Sequence, residues 1–330
     1  MLFKDYSKNY VYTDKKMKSK LHIISGSLSM RRSENVIFPY ISSAAGKTEQ
    51  ICLKKMYSEF LERTDVGFLY NISKNMTCVD LKNGKIRNDY LKSSLSYSKN
   101  SVLGCVDSTG TAARNSNSTS VIKKAISELI EKNELFLFWY FRLGRRLSKR
   151  ETYKLELLCD MCRFKNYMFI SQNLTSWPTV ICISVKDNSV LSTGISCQES
   201  LNKAIKGALV ESKIGRTLNF YKSDNMYRYD FNNKKRIIDF LSNSGFKQKS
   251  QKFNRLYSNY NLETVDWISN INISFIGTRS RRSGKVVTAF SDSLLKCLPT
   301  QENLRCSGSV PIVKRYNYMM NDSELDCIVS

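Results

Sequence analysis

The sequence predicts a mixed α/β fold in a single domain, residues 1–330. Two patterns carry this prediction. Three segments join a loop of small residues to the i, i+3, i+4, i+7 apolar spacing of an amphipathic helix. Short β-branched or aromatic runs between them are typical of strands. Apolar residues make up 42% of the chain, which is sufficient for a large core, and the four prolines mark no linker.

The predicted elements follow in chain order. The predicted regions are an N-terminal segment 1–35, a core of about 36–216, a variable insertion of about 217–260 and C-terminal strands in about 261–330. Helices are predicted in the three loop–helix units, at 149–163 and at 234–243. Strands are predicted at 21–24, 36–40, 102–106, 167–171, 179–185, 273–276, 285–290 and 310–313.

The central unit, Asp107 to Tyr140, gives the clearest indication of a site. Its loop turns around Gly110, and its helix ends in the apolar run LFLFWYF, which we expect to be buried. Glu128 and Glu131 are three residues apart, so they lie on nearly the same helical face. Two acids beside a buried helix and a glycine loop indicate a cation site. The alternative is a solvated face with surface ion pairs, which is common for glutamate on helices.

A related pattern occurs twice more. Residues 192–216, STGISCQESLNKAIKGALVESKIGR, begin with the same STG and place Glu211 late in the helix. Residues 42–63, SSAAGKTEQICLKKMYSEFLER, form a looser version with Glu59 and Glu62. If the three units are repeats packed on a shared core, their acids converge. The alternative is chance similarity in a chain rich in Lys, Ser and Ile.

Carboxylates that converge need a cation, because their mutual repulsion otherwise protonates some of them. Mg²⁺ prefers oxygen ligands and often carries phosphates. The candidate Mg²⁺ ligands are Glu59, Glu62, Glu128, Glu131 and Glu211. The candidate cationic partners of phosphate are Lys47, Arg63 and Arg216. No G-x-x-x-x-G-K-[ST] or G-x-G-x-x-G motif is present, so the predicted chemistry is ATP use at an acid-rich Mg²⁺ site without a P-loop.

Composition excludes several other classes. The net charge of +23 comes from scattered basic residues, which favours anionic partners such as nucleotides or acidic peptides over a specific nucleic acid. The single histidine, His22, argues against histidine acid–base chemistry. Cys159 and Cys162 are the only close cysteine pair, which favours reduced thiols in a cytoplasmic protein over a zinc site. No apolar run is long enough to span a membrane, and the N-terminus has no secretory signal.

The acid-bearing helices resemble those of the YcaO family. Its members carry a Ser-x3-Glu-x2-Glu-Arg helix, a second Ser-x3-Glu helix after a Gly/Ala/Asn loop, and a third helix with Glu, Gln and Arg. The corresponding segments are KMYSEFLER (55–63), KAISELIEK (124–132) after STGTAARNS, and ESKIGR (211–216). The similarity covers about residues 36–216, continues more weakly to the end of the sequence, and is greatest to the heterocyclase subunit of microcin biosynthesis.

The chain departs from the family pattern at a few positions. Lys55 and Lys124 replace the leading serines, and Ile214 replaces the glutamine of the third helix. If the later acid of the second helix falls four residues after Glu128, Lys132 occupies its place and Glu131 substitutes for it. The C-terminus DCIVS lacks the proline-rich tail of many members.

The resemblance implies an ATP-dependent cyclodehydratase. Such an enzyme converts Cys, Ser or Thr of a ribosomally made precursor peptide to thiazoline or oxazoline during bacteriocin or similar biosynthesis. It implies that the five glutamates bind Mg²⁺. The implied nucleotide-binding residues are Lys47, Arg63, Asn115, Glu128, Glu211 and Arg216.

The resemblance also implies partners and leaves alternatives. The expected partners are the precursor peptide, a separate leader-binding protein related to ubiquitin-activating enzymes, and a flavin-dependent azoline dehydrogenase. One alternative is a related member that forms a thioamide or amidine. Another is a catalytically degenerate scaffold that binds the peptide or a partner, and net charge alone leaves a nucleic-acid-binding protein.

Overall fold

The computed structural model describes residues 10–13, 22–27, 32–33, 36–37, 41–69, 75–91, 95, 101, 103–114, 117–221, 234–242, 245–248, 251–276, 285–321 and 324–329. The strands are β1 (Tyr10–Thr13), β2 (His22–Ser27), β3 (Arg32–Ser33), β4 (Val36–Ile37), β5 (Ile41–Gly46), β6 (Asn75–Asp80), β7 (Ile86–Leu91), β8 (Thr111–Arg114), β9 (Arg145–Arg146), β10 (Lys165–Ser171), β11 (Thr179–Lys186), β12 (Ser189–Cys197), β13 (Arg255–Tyr257), β14 (Leu262–Thr264), β15 (Asn272–Ile276) and β16 (Lys285–Phe290). The helices are α1 (Glu49–Leu69), α2 (Ser118–Phe141), α3 (Lys149–Leu158), α4 (Leu201–Tyr221), α5 (Lys234–Ser242), α6 (Gln301–Cys306) and α7 (Pro311–Arg315).

The chain divides into two compact units. Unit 1 comprises residues 1–129, 267–298 and 306–316, and unit 2 comprises residues 130–266, 299–305 and 317–330. Each unit contains both helices and strands, so the predicted mixed α/β class is confirmed. That the chain forms one domain stays a prediction.

In unit 1, α1 packs on two antiparallel sheets, and β3 and β4 form a separate two-stranded pair. A three-stranded sheet has the order β1–β2–β5, and a five-stranded sheet has the order β7–β6–β15–β16–β8. Cys52 and Met56, four residues apart in α1, pack on β2 and β5. Tyr57 and Leu61, also four apart, pack on the five-stranded sheet. The helix therefore buries two adjacent stripes of its surface.

Unit 2 is built on an antiparallel sheet of order β12–β11–β10–β9 that is buried on both faces. Tyr167 and Phe169 of β10 pack with the second half of α2 and with α5. Met168 and Ile170, which alternate with them, pack with α4. This period of two divides the β-branched and aromatic residues of each strand between two layers of helix.

The strands predicted at 167–171, 179–185, 273–276 and 285–290 are confirmed to within two residues. The apolar run after Glu134 continues α2, and Leu135–Trp139 are buried as predicted. The prediction of a strand at 310–313 is wrong, because α7 starts there with Pro311 at its first turn. Proline fits that position because the first amides of a helix have no intrahelical partner.

Other boundaries also differ. The helix predicted at 149–163 ends at Leu158, and Asp160 beyond it has a φ of 54°. Among the described residues of 102–106, Gly104 and Val106 form isolated bridges and no strand. The small residues at 42–46 and 192–197 were predicted as loops, but they lie in β5 and β12. Residues 38–40 and 222–233, which fall in the predicted 36–40 strand and 217–260 insertion, lie outside the described residues.

Candidate functional site

Glu59 in α1 is bonded to both a strand and a neighbouring cation. Its carboxylate accepts a hydrogen bond from the Ser43 amide of β5 at 3.0 Å. It also forms an ion pair with Arg63, one turn later in the helix, at 2.5 Å. The predicted metal ligand and the predicted phosphate partner therefore lie side by side, and the strand fixes the position of the carboxylate.

Glu62 lies in a negative environment. Burial raises the pKa of its carboxyl well above the usual range, and the nearby carboxylates of Glu128 and Glu59 raise it further. Arg63 and Lys124 oppose this rise only in part. Burial likewise raises the pKa of Glu59, against the effect of Arg63. A divalent cation would relieve this repulsion, so the residues present in unit 1 fit Mg²⁺.

The two lysines at the positions of the family's serines have different surroundings. Lys55 donates a hydrogen bond from its Nζ to the Ala45 carbonyl at 2.8 Å, which ties α1 to β5. Lys124 is exposed, and its charge lowers the pKa values of Glu59 and Glu62. Lys124 thus contributes positive charge on the side of the helix that carries the acids.

Two residues that the sequence did not indicate border the acids of unit 1. Asp107, before the Gly110 turn, accepts hydrogen bonds from two backbone amides at 2.7 Å. Lys296 is buried, donates its Nζ to the Thr109 carbonyl, and interacts electrostatically with Asp107, Glu128 and Glu62. A single lysine in the apolar run SLLKCL has no periodic signal, and its hydrogen-bond acceptor is 187 positions away in the chain.

In unit 2, two of the predicted metal ligands lie along one edge of β12. Glu211 of α4 accepts a hydrogen bond from the Ile195 amide at 2.9 Å. Glu131 of α2, which is buried, accepts one from the Cys197 amide at 2.8 Å. Among the described strands β12 is the outermost in its sheet. Because alternate amides of a strand point to the same side, both carboxylates line its outer edge.

Close packing of α4 on β12 brings Glu211 within reach of the strand. A Cβ added at Gly194 would lie 2.2 Å from the Ala208 carbonyl oxygen and 2.5 Å from the Ser212 amide nitrogen. A Cβ added at Gly207 would lie 2.2 Å from the Ser196 Oγ. The small residues of the STG segment therefore serve a helix–strand contact, and the backbone approach they allow places an acid beside a strand amide.

The first and third loop–helix segments of the predicted repeat share a type of contact. The amide of Ser43 donates to Glu59, and the amide of Ile195 donates to Glu211, each across 16 positions of sequence. In both cases the amide belongs to the strand that precedes the helix. This common geometry supports the repeat interpretation, which stays a prediction.

The predicted nucleotide-binding residues differ in their surroundings and in their exposure to solvent. Arg216 places its guanidinium 4.3 Å from the centre of the Phe164 ring, which orients its positive charge. Lys47 is exposed directly after β5. Ile214, the departure from the family's glutamine, is half-buried. Asn115 lies outside the described residues.

The carboxylates do not form a preassembled cage. Within the described ranges, no group of three or more His, Cys, Asp or Glu side chains has the arrangement of a metal site. A metal in unit 1 would therefore bind with few protein ligands and would take other oxygen ligands as well, as Mg²⁺ commonly does.

None of the helices in the described part of the chain is long and apolar enough to cross a membrane.

Two further buried acids were not predicted. Glu134, three residues after Glu131 in α2, accepts hydrogen bonds from the Ser171 hydroxyl and from the amides of Asn173 and Leu174 at 2.6–2.7 Å. This network anchors α2 to the connection between β10 and β11. Asp65, three residues after Glu62 in α1, is 6% exposed, and its Oδ2 has no hydrogen-bond partner. Burial raises the pKa of Asp65 to about 7.

Comparisons with known proteins agree on one family. The sequence profile described as YcaO cyclodehydratase, ATP- and Mg²⁺-binding, matches residues 90–280, which is more than half of the chain. A search of curated protein sequences finds no significant relative.

Solved structures share the fold at low sequence identity. YcaO from Methanopyrus kandleri, bound with AMPPCP and Mg²⁺, is 11% identical with a TM-score of 0.63, and the match covers 90% of this chain and 88% of that one. A heterocyclase in complex with substrate and cofactor is 12% identical with a TM-score of 0.65, and the match covers 97% of this chain but 54% of the heterocyclase. A chain of the E. coli microcin synthetase McbBCD complex is 15% identical with a TM-score of 0.59, over 91% and 96% of the two chains.

Proposed function

The chain belongs to the YcaO family of ATP- and Mg²⁺-binding cyclodehydratases, and from this premise we propose that it forms azolines in a ribosomally made peptide. The observation that carries the proposal is the environment of Glu62. Burial and the nearby carboxylates of Glu128 and Glu59 raise the pKa of its carboxyl. Such a cluster is compensated when a divalent cation with bound phosphates enters it.

The proposed reaction is an ATP-dependent cyclodehydration. The thiol or hydroxyl of a Cys, Ser or Thr adds to the carbonyl carbon of the preceding residue, and its proton is lost. This addition closes the five-membered ring, and the resulting oxyanion accepts the γ-phosphoryl group. Phosphate then leaves while the amide nitrogen loses its proton, which forms the C=N bond of the thiazoline or oxazoline. The peptide loses one water in total, and ATP becomes ADP and phosphate. Bound Mg²⁺–ATP would supply the phosphoryl group that converts the amide oxygen into a leaving group.

The chain's own residues would bind and orient the reactants. In unit 1, Glu59, Glu62 and Glu128 are the proposed Mg²⁺ ligands, and Arg63 is placed by its ion pair with Glu59 to meet phosphate. In unit 2, Glu131 and Glu211 are the proposed ligands, each oriented by an amide of β12. Nucleotide contacts are proposed for Arg216, held over Phe164, and for Lys47 and Asn115. Catalysis by such residues consists of positioning and charge neutralisation.

Calorimetric titration with ATP tests the site. We expect saturable binding in Mg²⁺ that is lost when Mg²⁺ is chelated and in the Glu128→Gln/Glu131→Gln double variant. Glutamine keeps the size and an acceptor oxygen, so the Cys197 amide retains its partner while two charges disappear. The matched control is Glu199→Gln, an exposed acid paired with Lys203, which should bind like the wild type. Unchanged ATP binding or turnover in the double variant would refute the assignment.

The product defines the reaction within the family. Incubation with a candidate precursor peptide, ATP and Mg²⁺ should give a mass loss of one water per event. Exchange of oxygen for sulfur would instead identify a thioamide-forming member. Formation of an amidine from an amine of the peptide also loses one water, and it is recognised because the Cys, Ser and Thr side chains remain unmodified.

A degenerate scaffold is the second candidate, and Lys124 favours it. This lysine adds a resident positive charge beside Glu59 and Glu62, where a metal would otherwise compensate the acids. Ile214 also removes a polar group expected from the family pattern. Binding of a peptide or partner protein with no Mg²⁺–ATP binding would identify this function.

The proposed partners are a precursor peptide and a separate leader-binding protein related to ubiquitin-activating enzymes, with a flavin-dependent azoline dehydrogenase as a further member. Support comes from two of the solved structures, one a heterocyclase with its substrate and the other the McbBCD complex, which is also known with pro-MccB17 bound. The net charge of +23 suits an acidic leader segment. A cytoplasmic location stays a prediction.

A further inference from the structure

Lys296 is a buried lysine with a fixed position. It is 1% exposed, between the buried residues Leu295 and Cys297. Its Nζ donates a hydrogen bond to the Thr109 carbonyl, and its own carbonyl accepts one from the Asp107 amide at 3.1 Å. Lysine is almost never buried without compensation for its charge, so this position calls for an explanation from its surroundings.

The surroundings of Lys296 are acidic. The groups that act on its charge are Asp107, Glu128, Glu62 and, more weakly, the Cys297 thiol. Asp107 is already satisfied by the amides of Thr109 and Leu298, each at 2.7 Å. Glu62 and Glu128 are the proposed Mg²⁺ ligands. The ammonium group therefore supplies a buried positive charge that interacts with these acids.

Lys296 differs in this respect from the other cations near the acids. Lys124, which also acts on Glu59 and Glu62, is exposed to solvent. Arg63 is paired with Glu59 at 2.5 Å. Lys296 is buried, and Glu128 and Glu62 are among the acids that act on its charge. A fixed positive charge at such a site repels an incoming metal ion, and little solvent is present to screen it.

We propose that Lys296 is a positioning residue that makes Mg²⁺ binding depend on nucleotide. Its charge offsets part of the negative charge of Glu62 and Glu128, so that bare Mg²⁺ binds weakly. The phosphates of ATP add the negative charge that allows Mg²⁺ to enter. Its hydrogen bond to Thr109 also holds the Gly110 turn that precedes β8 and α2. This inference rests on the proposed function, because it concerns the same Mg²⁺–ATP site.

Two substitutions separate the charge from the hydrogen bond. Lys296→Met removes both at similar length, whereas Lys296→Gln removes the charge but keeps a donor for the Thr109 carbonyl. Lys314→Met, at an exposed lysine of α7, is the matched control. The readouts are calorimetric titration with MgCl₂ alone and with ATP at fixed Mg²⁺, on protein whose folding is checked by circular dichroism.

We expect the wild type to bind Mg²⁺ weakly without ATP and to show strong mutual enhancement of the two ligands. Both Lys296 variants should bind Mg²⁺ alone about tenfold more tightly or better and should lose most of this enhancement. The Lys314→Met protein should behave as the wild type. If Lys296 had only a structural role, its substitution would lower the affinities for both Mg²⁺ and ATP and would not tighten Mg²⁺ binding.

The outcomes distinguish the two proposals. A wild type that binds Mg²⁺–ATP while the Lys296 variants bind Mg²⁺ no more tightly overturns the inference alone. Tight Mg²⁺ binding by the wild type in the absence of nucleotide also overturns it, even if neither variant folds. A wild type that binds no Mg²⁺–ATP overturns the proposed function, and the inference with it.

Discussion

Replacing Gly194 with alanine should move α4 away from β12 and disconnect Glu211 from the strand. The new Cβ would lie 2.2 Å from the Ala208 carbonyl oxygen and 2.5 Å from the Ser212 amide nitrogen. Ordinary contact of a carbon with such atoms requires more than 3 Å, so helix and strand must separate by about 1 Å. Both contacts involve backbone, which cannot rotate aside as a side chain can.

The separation has a cost in stability and a consequence for the site. Overpacking of this kind costs about 1–3 kcal/mol. An additional 1 Å would stretch the 2.9 Å bond from the Ile195 amide to Glu211 beyond hydrogen-bonding distance. Loss of a hydrogen bond to a charged group adds about 1.5–3 kcal/mol. We therefore expect a lower free energy of unfolding together with weaker Mg²⁺–ATP binding.

Urea denaturation and calorimetric ATP titration measure the two effects. The matched control is Gly215→Ala in α4, where a Cβ would meet nothing closer than 3.7 Å. This control should gain about 0.5–1 kcal/mol, since alanine is the better helix former. The reasoning is refuted if Gly194→Ala and Gly215→Ala have the same stability, or if Gly194→Ala is as stable as the wild type.

Two predictions concern the unpredicted acids. The pKa of Asp65 rises from 3.8 to about 7 on folding, so the unfolded chain loses this proton at lower pH than the folded protein does. The free energy of unfolding therefore falls between about pH 4 and pH 7, by up to about 4 kcal/mol. Asp65→Asn should therefore raise the melting temperature at pH 8 but hardly at pH 4, and an equal rise at both pH values would contradict this. Glu134→Gln should lower the free energy of unfolding in urea by about 2–3 kcal/mol, because an NH₂ group would face buried donors. Unchanged stability would show that the network is dispensable.

The sequence predicts well where a pattern is local. The strand at 285–290 has the predicted bounds, and its residues after Lys285 are all buried, as its apolar run indicates. Of the five glutamates predicted to converge, Glu59 and Glu128 act electrostatically on Glu62, and their joint role at a Mg²⁺ site stays a prediction. The strand prediction succeeds because the geometry of a single strand is fixed.

The failures concern residues whose role is set by distant parts of the chain. The segment 192–197 looks like a loop because serine and glycine are poor strand formers, yet contact with α4 overrides that preference. Lys296 has no local signal at all, because its acceptor at Thr109 reaches it only through the tertiary fold. Asp65 resembles any polar residue of an amphipathic helix until its burial is known.

The arrangement at β12 has a consequence for association between molecules. An outermost strand with unpaired amides is a template on which a second chain can add a strand. Along this edge the amides of Ile195 and Cys197 are instead occupied by Glu211 and Glu131. These carboxylates also place negative charge where an incoming strand would have to lie. The acids proposed to bind a metal thus also cover the edge of the sheet. Alanine at Glu131 and Glu211 would remove the proposed ligands and would also expose strand amides that can pair with another chain.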